Sequence, residues 1–413
     1  MNGALRPRGR RRRPLRVILA GALAGVVGCC AAAASPGLLP AGGTESLVIR
    51  VGILVDRPSV QISADGPVTA EDVSVSMLTA PVPVVLPQPP GGTAWIATAG
   101  GSAGLDLSGT PLGPAVRLTA QHGLLRADGR PYRGALELRR TPAGQVTVVN
   151  VLDLESYLYG VIKGEVDPRW PPEAVRAQAV AARTLAVQRM VAHPTAQGAS
   201  FTDAGFDLPA TTDAQVYLGA GVEDPAATAA VDATRGLVLT YDGRPIFAAY
   251  HSNSGGHTED SENVWGTLYP YLRGVPDPYA LDAPGVAWST MLPLAGIEAA
   301  LRRGGADLTG LDEVAPGRVT PWGRVVTVLL RGRDGRAQEM NANRFRLLVG
   351  ASVLRSTMFT VARQGAAAGF TGRGSGHGVG LDQWGARAMA VHGFTFEQIL
   401  KYYYTGVAIE PRY

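Results

Sequence analysis

The sequence predicts an α+β protein that is rich in short strands, with a few packed helices around one cleft. Its 413 residues include 53 Gly and 30 Pro, which indicates many turns. Short β-branched runs separated by turn residues follow one another from residue 47 to about 150, and an Ala-rich helical stretch comes next. With 46% hydrophobic and 17% charged residues, the composition is typical of a globular protein with a large core.

Residues 1–34 are predicted to be an export signal. The first sixteen residues hold seven Arg and no acidic residue, and an apolar run at 17–34 follows, ending in small side chains. Three outcomes stay open: a lipoprotein with Cys29 lipidated, cleavage before Ser35, or an uncleaved anchor, since the run is only just long enough to span a bilayer. We expect the mature protein in the extracytoplasmic envelope, secreted or associated with the membrane through its N-terminus.

Charge and cysteine usage exclude several classes of protein. The formal net charge of +4 comes from the Arg-rich start, and the remainder is slightly acidic, so we expect no nucleic-acid partner. Both cysteines, Cys29 and Cys30, lie in the export segment. The mature body therefore has neither a disulfide nor a Cys nucleophile, and its stability depends on core burial.

The chain divides into a linker at 35–46, a β-rich region at 47–150 and a longer region at 151–413. Strands are predicted at 47–55, 115–119, 135–138 and 146–149, and the Pro-rich stretch 77–93 is predicted to lie at an edge or in a surface loop. The clearest helix is 172–190, where Pro172 and Glu173 suit the first turn. Its apolar residues recur at helical spacing and predict one closely packed face.

Further strands and helices are predicted in the longer region. The strands are at 237–241, 246–250 and 325–330, and the helices at 297–302, 383–391 and 395–403. We interpret about 290–360 as an inserted α/β region.

Glu165 is the first candidate for chemistry. It follows Gly164 on a predicted turn just before the Ala-rich helix, where a carboxyl can be held rigidly and reach a substrate. In an apolar setting such a group stays protonated and can act first as an acid and then as a base. The alternative is a surface ion pair with Lys163 or Arg169.

Two loops supply further candidates. The first, residues 250–265, is called the histidine loop here, and its His251 and His257 are six residues apart. With a nearby carboxylate the two imidazoles can bind zinc. Their spacing, however, is typical of neither a helical pair nor a zinc finger. The second, residues 372–386, is called the glycine loop here, and its alternate glycines expose backbone N–H groups and His377. It lacks the Lys-Ser/Thr ending of a P-loop. Local hydrogen bonding, substrate contact and a structural turn remain open for these loops.

Together the segments resemble the SpoIID/LytB family, the sporulation stage II protein D type of peptidoglycan enzyme. The resemblance spans roughly residues 47–410 and rests on segments that occur in the family's order: 149–161 with Glu165, 177–184, 213–217, 250–256 with 264–266, and 374–386 with 399–404. It implies that residues 151–413 form the catalytic core.

The activity that this resemblance implies is that of a lytic transglycosylase acting on bacterial glycan strands, preferably strands without stem peptides. In such enzymes the 6-hydroxyl of the muramic sugar attacks its own anomeric carbon and leaves a 1,6-anhydro end. A single carboxyl then suffices, and the resemblance places it at Glu165. The residues expected to contact the substrate are Tyr157, Arg183, Tyr250, His251, Ser252, Ser254, His377 and Gln383.

No cofactor is required by this activity, although some members of the family carry zinc at the histidine loop. Here the corresponding ligands would be His251 and His257, and the mature body has no Cys. Two other functions stay open: a non-enzymatic glycan-binding modifier of a cell-wall amidase, which would make that amidase a partner, and a zinc-dependent amidase.

Overall fold

The structure is a computed structural model that describes residues 46–73, 83–89, 94–101, 104–192, 205–211, 215–306 and 308–413. The predicted export signal and nearly all of the linker lie outside these residues, as does part of the Pro-rich stretch. Within the described ranges, no helix is both long and apolar enough to cross a membrane.

The N-terminal region consists of short strands in two sheets. The strands are β1 (Val48–Arg57), β2 (Ser59–Ala64), β3 (Val68–Asp72), β4 (Val84–Val85), β5 (Trp95–Gly100), β6 (Gly104–Leu107), β7 (Thr110–Leu112), β8 (Ala115–Ala120), β9 (Leu125–Ala127), β10 (Arg130–Tyr132), β11 (Ala135–Arg140) and β12 (Val146–Asp153). With β13 (Leu208–Pro209), the larger sheet has the order β13-β1-β12-β11-β8-β3-β4, and the smaller one β10-β9-β2-β5-β6-β7. In the described part of the Pro-rich stretch, residues 83–89, the strand β4 lies at the edge of the larger sheet.

One buried carboxylate binds arginines from three strands of the larger sheet. Glu137 on β11 has no solvent exposure and is hydrogen-bonded by the guanidinium groups of Arg50, Arg117 and Arg139. Burial by itself would raise the pKa of Glu137, but the three cations outweigh it and lower the pKa to about 2. The carboxylate therefore links β1, β8 and β11 as an ion.

Helix α1 (Leu154–Glu165) follows β12 directly, and Asp153 caps it by accepting from the backbone N–H groups of Glu155 and Ser156, both at 3.1 Å. Glu165 is thus the last residue of a helix and does not lie on a turn as the sequence predicted. Gly160 lies inside this helix because the Tyr217 ring packs 2.6 Å from where a Cβ would be.

Helix α2 (Pro172–Ala192) confirms the clearest helix of the sequence. The sequence predicted one closely packed face, whereas in the structure two faces of this helix are packed. Ala179 and Ala186 contact the core of the N-terminal region, while Ala177 and Ala181 contact a second core built by the C-terminal elements. Small side chains cover both faces because α2 lies between two cores.

The rest of the chain alternates short strands and helices. After α2 come α3 (Pro225–Ala233), β14 (Leu237–Tyr241), β15 (Arg244–Pro245), β16 (Tyr250–His251) and α4 (Ser261–Trp265). The predicted strand at 246–250 is reduced to β16, because the backbone N–H of Ala249 bonds to the carbonyl of Phe247 at 2.8 Å in a tight turn.

Residues 287–373 pack around a hydrophobic cluster of their own that includes Ile297, Leu301 and Phe345. The elements are β17 (Ala287–Pro293), α5 (Leu294–Arg303), β18 (Leu311–Pro316), β19 (Thr327–Gly332), β20 (Ala337–Asn341), α6 (Ala342–Val349), β21 (Phe359–Gln364) and β22 (Ala367–Arg373). They form two three-stranded sheets, β17-β22-β21 and β18-β19-β20. We call this part the insert.

The chain ends with β23 (Leu381–Asp382), α7 (Gln383–Val391), α8 (Phe396–Tyr403) and β24 (Ala408–Pro411). Helix α7 has the predicted bounds and α8 begins one residue later than predicted. The fold is α+β and β-rich, with several small sheets and a few packed helices, which confirms the predicted fold class.

Candidate active site

A cleft of about 610 Å³ opens where the end of α1 meets the start of α7. Its lining comes from the end of α1, the turn into α2, the residue that caps α3, the residue after β16 and the first turn of α7. The lining residues are Lys163, Gly164, Glu165, Val166, Asp167, Pro168, Arg169, Trp170, Asp224, Ser252, Gln383 and Trp384.

Glu165 is half-buried in this cleft, and its Oε1 accepts from the backbone N–H of Val216 at 3.2 Å. Burial raises the pKa of Glu165, while hydrogen bonds from Val216, Tyr250 and Gln383 counteract part of that increase. Among the described residues Glu165 forms no ion pair, so the alternative of a surface pair with Lys163 or Arg169 does not describe it.

A directed chain of hydrogen bonds leads to Glu165. The Tyr157 hydroxyl donates to Oε1 of Gln215 at 3.0 Å, and Nε2 of Gln215 donates to the Ala182 carbonyl at 3.1 Å and to the Tyr250 hydroxyl at 3.2 Å. Because a carbonyl only accepts, Ala182 sets the orientation of the Gln215 amide. The Tyr250 oxygen accepts from Gln215, which leaves its hydrogen for the Glu165 carboxylate.

Gln215 was not among the predicted site residues. It lies in the segment 213–217 that carries part of the family resemblance, and that segment was the signal available in the sequence. Tyr157, which was predicted to contact the substrate, is fully buried, does not line the cleft and hydrogen-bonds to Gln215.

Two tryptophans form an aromatic wall of the cleft. The rings of Trp170, in the turn after α1, and Trp384, in α7, lie 5.0 Å apart, and the Arg387 guanidinium lies 5.4 Å from the centre of the Trp384 ring. Trp384 was missed as a site residue, although it directly follows the predicted Gln383. Gln383 and Trp384 both line the cleft.

The other two carboxylates of the cleft have partners of their own. Asp167 pairs with Arg169 at 2.7 Å, which lowers the pKa of Asp167 to about 2. Asp224 caps α3 by accepting from the backbone N–H of Ala226 at 2.9 Å. Of the described carboxyl groups that line the cleft, Glu165 is the one whose surroundings favour the protonated form.

Parallel pairing of β16 with β23 joins the histidine loop to the glycine loop, with Tyr250 opposite Leu381 and His251 opposite Asp382. Ser252 follows β16 into the cleft, and its carbonyl accepts from the Trp384 backbone N–H at 3.2 Å.

The two predicted substrate histidines pack against each other outside the cleft lining. The His251 and His377 rings are 5.5 Å apart; Nδ1 of His251 donates to the Val379 carbonyl at 3.1 Å, and the Val379 N–H donates to Nδ1 of His377 at 3.1 Å. Burial lowers the pKa of both rings, well below the usual value for His251 and to about 4 for His377. Both imidazoles are therefore neutral at pH 7.

Ser254 and Arg183 were also predicted to contact the substrate, but the structure places both in the interior. The Ser254 hydroxyl donates to Asp277 at 3.0 Å. Arg183 forms a bidentate pair with Glu155, at 2.9 and 2.7 Å, in which both side chains are buried. Neither residue lines the cleft, because each one satisfies a buried carboxylate.

The histidine loop does not fit a zinc ion in this structure. The His257 ring stacks on Trp322 with 4.2 Å between ring centres, and its Nδ1 lies 2.7 Å from the Thr258 carbonyl. Across the described residues, no group of three or more His, Cys, Asp or Glu side chains is placed to bind a metal ion.

The insert is attached to the histidine loop by Arg324. Its Nη2 donates to the carbonyls of Ser254 at 2.7 Å and His257 at 3.2 Å, and its Nε lies 3.6 Å from the Glu259 carboxylate. A Cβ at Gly378 would lie 2.5 Å from the guanidinium carbon, so this position of the glycine loop requires glycine.

Comparison with known proteins agrees with the segments described above. The family model for SpoIID, stage II sporulation protein, matches residues 142–241. The stage II sporulation protein D of Bacillus subtilis is 34% identical over 275 residues, which cover 63% of this chain and 75% of that protein. An uncharacterized protein of Brachyspira hyodysenteriae is 34% identical over 262 residues, covering 63% of this chain and 68% of the relative.

The amidase enhancer of Bacillus subtilis is 30% identical over 296 residues, which cover 61% of this chain and 40% of the enhancer. The matches to both kinds of protein agree with the resemblance found in the sequence, and the chain belongs to the SpoIID/LytB family.

Proposed function

We propose that this protein is a lytic transglycosylase that cleaves peptidoglycan glycan strands, preferably without stem peptides, to 1,6-anhydro-muramic ends. The observation that carries the proposal is the setting of Glu165. It is half-buried in the cleft and receives hydrogen bonds from the Val216 N–H, the Tyr250 hydroxyl and the Gln383 side chain.

This setting suits a group that must be an acid in one half of the reaction and a base in the other. Burial favours the protonated carboxyl, which can give its proton to the glycosidic oxygen as the bond from that oxygen to the anomeric carbon breaks. The three hydrogen bonds favour the carboxylate, which then takes the proton of the 6-hydroxyl as its oxygen bonds to the anomeric carbon. No water is consumed, and Glu165 ends protonated as it began.

Among the described residues that line the cleft, no second carboxylate is free, which agrees with this mechanism. Ordinary glycosidases use two carboxyl groups, one of which activates water or attacks the sugar. The two other carboxylates of this cleft, Asp167 and Asp224, are held by Arg169 and by the start of α3. An attack from within the sugar requires neither of them.

The remaining lining suits a sugar. Trp170 and Trp384 present flat apolar surfaces, and Ser252 and Gln383 add polar groups at the same opening. Binding sites commonly combine apolar walls with a few oriented polar groups in this way. We further propose that the protein reaches its substrate by export through residues 1–34 and acts in the cell envelope.

A second candidate is a non-enzymatic modifier of a cell-wall amidase, which the similarity to the amidase enhancer favours. A modifier would bind glycan through the same cleft and stimulate a partner amidase. It would not depend on a proton-donating side chain at position 165.

Digestion of amidase-treated, stem-free glycan strands, followed by mass analysis of the strand ends, separates the two functions. We expect anhydro-muramic ends with the wild type and none with Glu165→Gln, since glutamine keeps the volume but cannot exchange a proton. Glu313→Gln, which alters a surface ion pair of the insert, is the control and should remain active. Reducing ends would instead indicate hydrolysis. Absence of products, together with stimulation of an amidase by Glu165→Gln, would establish the modifier.

A further inference from the structure

Arg387 is an open cation on the helix that forms one wall of the cleft. It lies in α7, four residues after Gln383 and three after Trp384, and helical residues at these spacings are neighbours on one face. Because Gln383 and Trp384 line the cleft, Arg387 lies on the cleft side of α7, one turn farther along the helix. Its guanidinium is 5.4 Å from the centre of the Trp384 ring, which places it against the aromatic wall.

The donors of Arg387 are not used within the protein. Across the described ranges, no acceptor bonds to its guanidinium N–H groups and no carboxylate forms an ion pair with it. The side chain is partly exposed, and none of its nitrogens is a buried atom without a partner, so all three are reachable from the solvent. A guanidinium that stacks on an indole uses its flat face and keeps the N–H groups at its edge for an acceptor. Arg387 is therefore held in place with its donors free.

The charges around the cleft favour an anionic ligand. Asp167 is paired with Arg169 and Asp224 caps α3, so neither carboxylate balances a further cation. Lys163, near the end of α1, lines the cleft, is exposed and forms no ion pair among the described residues. Arg387 and Lys163 thus leave positive charge unbalanced at the opening, and such charge attracts anions.

We propose that Arg387 binds the carboxylate of a muramic sugar in the glycan strand and thereby makes the enzyme prefer strands without stem peptides. This inference rests on the proposed function and assigns the preference to one side chain. Gln383, which hydrogen-bonds to Glu165, lies one helical turn from Arg387, a rise of about 5.4 Å along α7. In a muramic sugar the lactyl group is on carbon 3, two positions along the ring from the anomeric carbon. A sugar with its anomeric carbon at Glu165 can therefore present its lactyl carboxylate to Arg387.

The chemistry of a stripped strand supplies this anion. Removal of the stem peptide at its amide bond leaves a free carboxylate on the lactyl group of each muramic sugar, whereas an intact stem leaves a neutral amide. Arginine binds carboxylates through two parallel hydrogen bonds, which an amide cannot accept in the same way. Trp384 favours this contact, because a guanidinium already fixed by stacking loses less side-chain entropy when the ligand binds.

Binding to strands that cannot be cleaved tests the proposal. In a Glu165→Gln background, calorimetry would compare stem-free strands, the same strands with their carboxyls reduced to alcohols, and N-acetylglucosamine oligosaccharides. Adding Arg387→Gln should weaken binding of the carboxylate strands about tenfold, the lower end for hydrogen bonds between charged groups because the site is partly exposed. The two neutral ligands should bind as before. Arg387→Lys keeps the charge but lacks the fork of donors, so it should lose less affinity.

Two further variants serve as comparisons. Arg303→Gln removes the same charge from an exposed site at the end of α5 and should leave all three affinities unchanged. Lys163→Gln removes the other open cation of the cleft and should weaken binding of the carboxylate strands less than Arg387→Gln does. If Lys163→Gln abolishes the preference for carboxylate over reduced strands and Arg387→Gln does not, the carboxylate binds at the end of α1 and our assignment is wrong.

Three other outcomes would overturn the assignment: equal loss for all three ligands, no loss for the carboxylate strands, or equal binding of carboxylate and reduced strands by the protein that retains Arg387. The last comparison needs no Arg387 variant and decides the question even if that variant fails to fold. If the wild type does not cleave glycan but the binding pattern holds, the proposed reaction fails and the role of Arg387 stands. If the wild type cleaves stem-free strands and the binding pattern is absent, the reaction stands and the role of Arg387 fails.

Discussion

Replacing Arg183 with methionine should reduce the stability of the fold and leave the cleft intact. The guanidinium donates to Glu155 at 2.9 and 2.7 Å and to the Val231 carbonyl at 3.0 Å, and both charged side chains are at most 1% exposed. These contacts join α1, α2 and the end of α3. In Arg183→Met the Glu155 carboxylate would remain buried without its cation.

Removing one partner of a buried pair costs about 3–5 kcal/mol. Glu155 would keep two donors, the Gly236 N–H at 3.2 Å and the Tyr413 hydroxyl at 2.6 Å. We therefore expect the lower end of that range, about 3 kcal/mol. Replacing Glu155 with leucine as well removes the unpaired buried carboxylate, so the double variant should be more stable than Arg183→Met alone.

Urea unfolding followed by circular dichroism measures this loss of stability. The rate of glycan cleavage, measured well below the urea concentration of the unfolding midpoint, shows whether the cleft still functions. Arg176→Met is the control on the same helix, because its ion pair with Glu173 is partly exposed and should contribute less than about 1 kcal/mol. An unchanged unfolding midpoint combined with a raised KM for glycan would refute our reasoning. It would make Arg183 the substrate contact that the sequence suggested.

Three further predictions concern ionisation and packing. The folded-state pKa of Glu137 is depressed to about 2, so its stabilisation is present above pH 4.5 and is lost as the pH falls toward 2. The wild type should lose ~2 kcal/mol more than Glu137→Gln between pH 6 and pH 3 in urea titrations, and parallel losses would contradict the ion cluster. Tyr250→Phe removes a donor to the Glu165 carboxylate, so the pKa of Glu165 should rise and the alkaline limb of kcat/KM should move to higher pH; a limb that stays in place would exclude this hydrogen bond. Gly378→Ala places a Cβ 2.5 Å from a buried guanidinium and should cost about 1–3 kcal/mol more in thermal unfolding than Gly323→Ala, where φ is also positive but the space is open. Equal costs would show that the strain is in the backbone alone.

Much of the fold could be predicted because its signals are local. The bounds of α2 and α7 follow from helix propensity and from residues that favour the first turn, and the short strands of the N-terminal region follow from β-branched runs between turns. Helix α1 was missed because Gly160 and Gly164 are poor helix formers. They occur there because Tyr217 and Val216 pack closely against the helix, and no local pattern reports such a contact.

Some residues of the candidate site could also be predicted from the sequence, and others could not. Glu165 could be identified from its neighbours and from the family's segments, and it lines the cleft together with the predicted Ser252 and Gln383. The sequence did not distinguish Arg183, which is interior, from residues that reach the cleft. Polar side chains of both kinds have similar local surroundings, and their partners lie far away in the sequence.

The sequence by itself determined the fold class, the family and the identity of the candidate carboxyl, because each is written in nearby residues or in ordered segments. Only the tertiary structure decided the surroundings of that carboxyl. Gln215 meets Tyr157 across 58 residues, and His251 meets Val379 across 128, so hydrogen-bond direction and burial arise only when distant parts of the chain pack together. The pKa of Glu165 likewise depends on burial and on hydrogen bonds from Val216, Tyr250 and Gln383, all of which are far from it in the sequence.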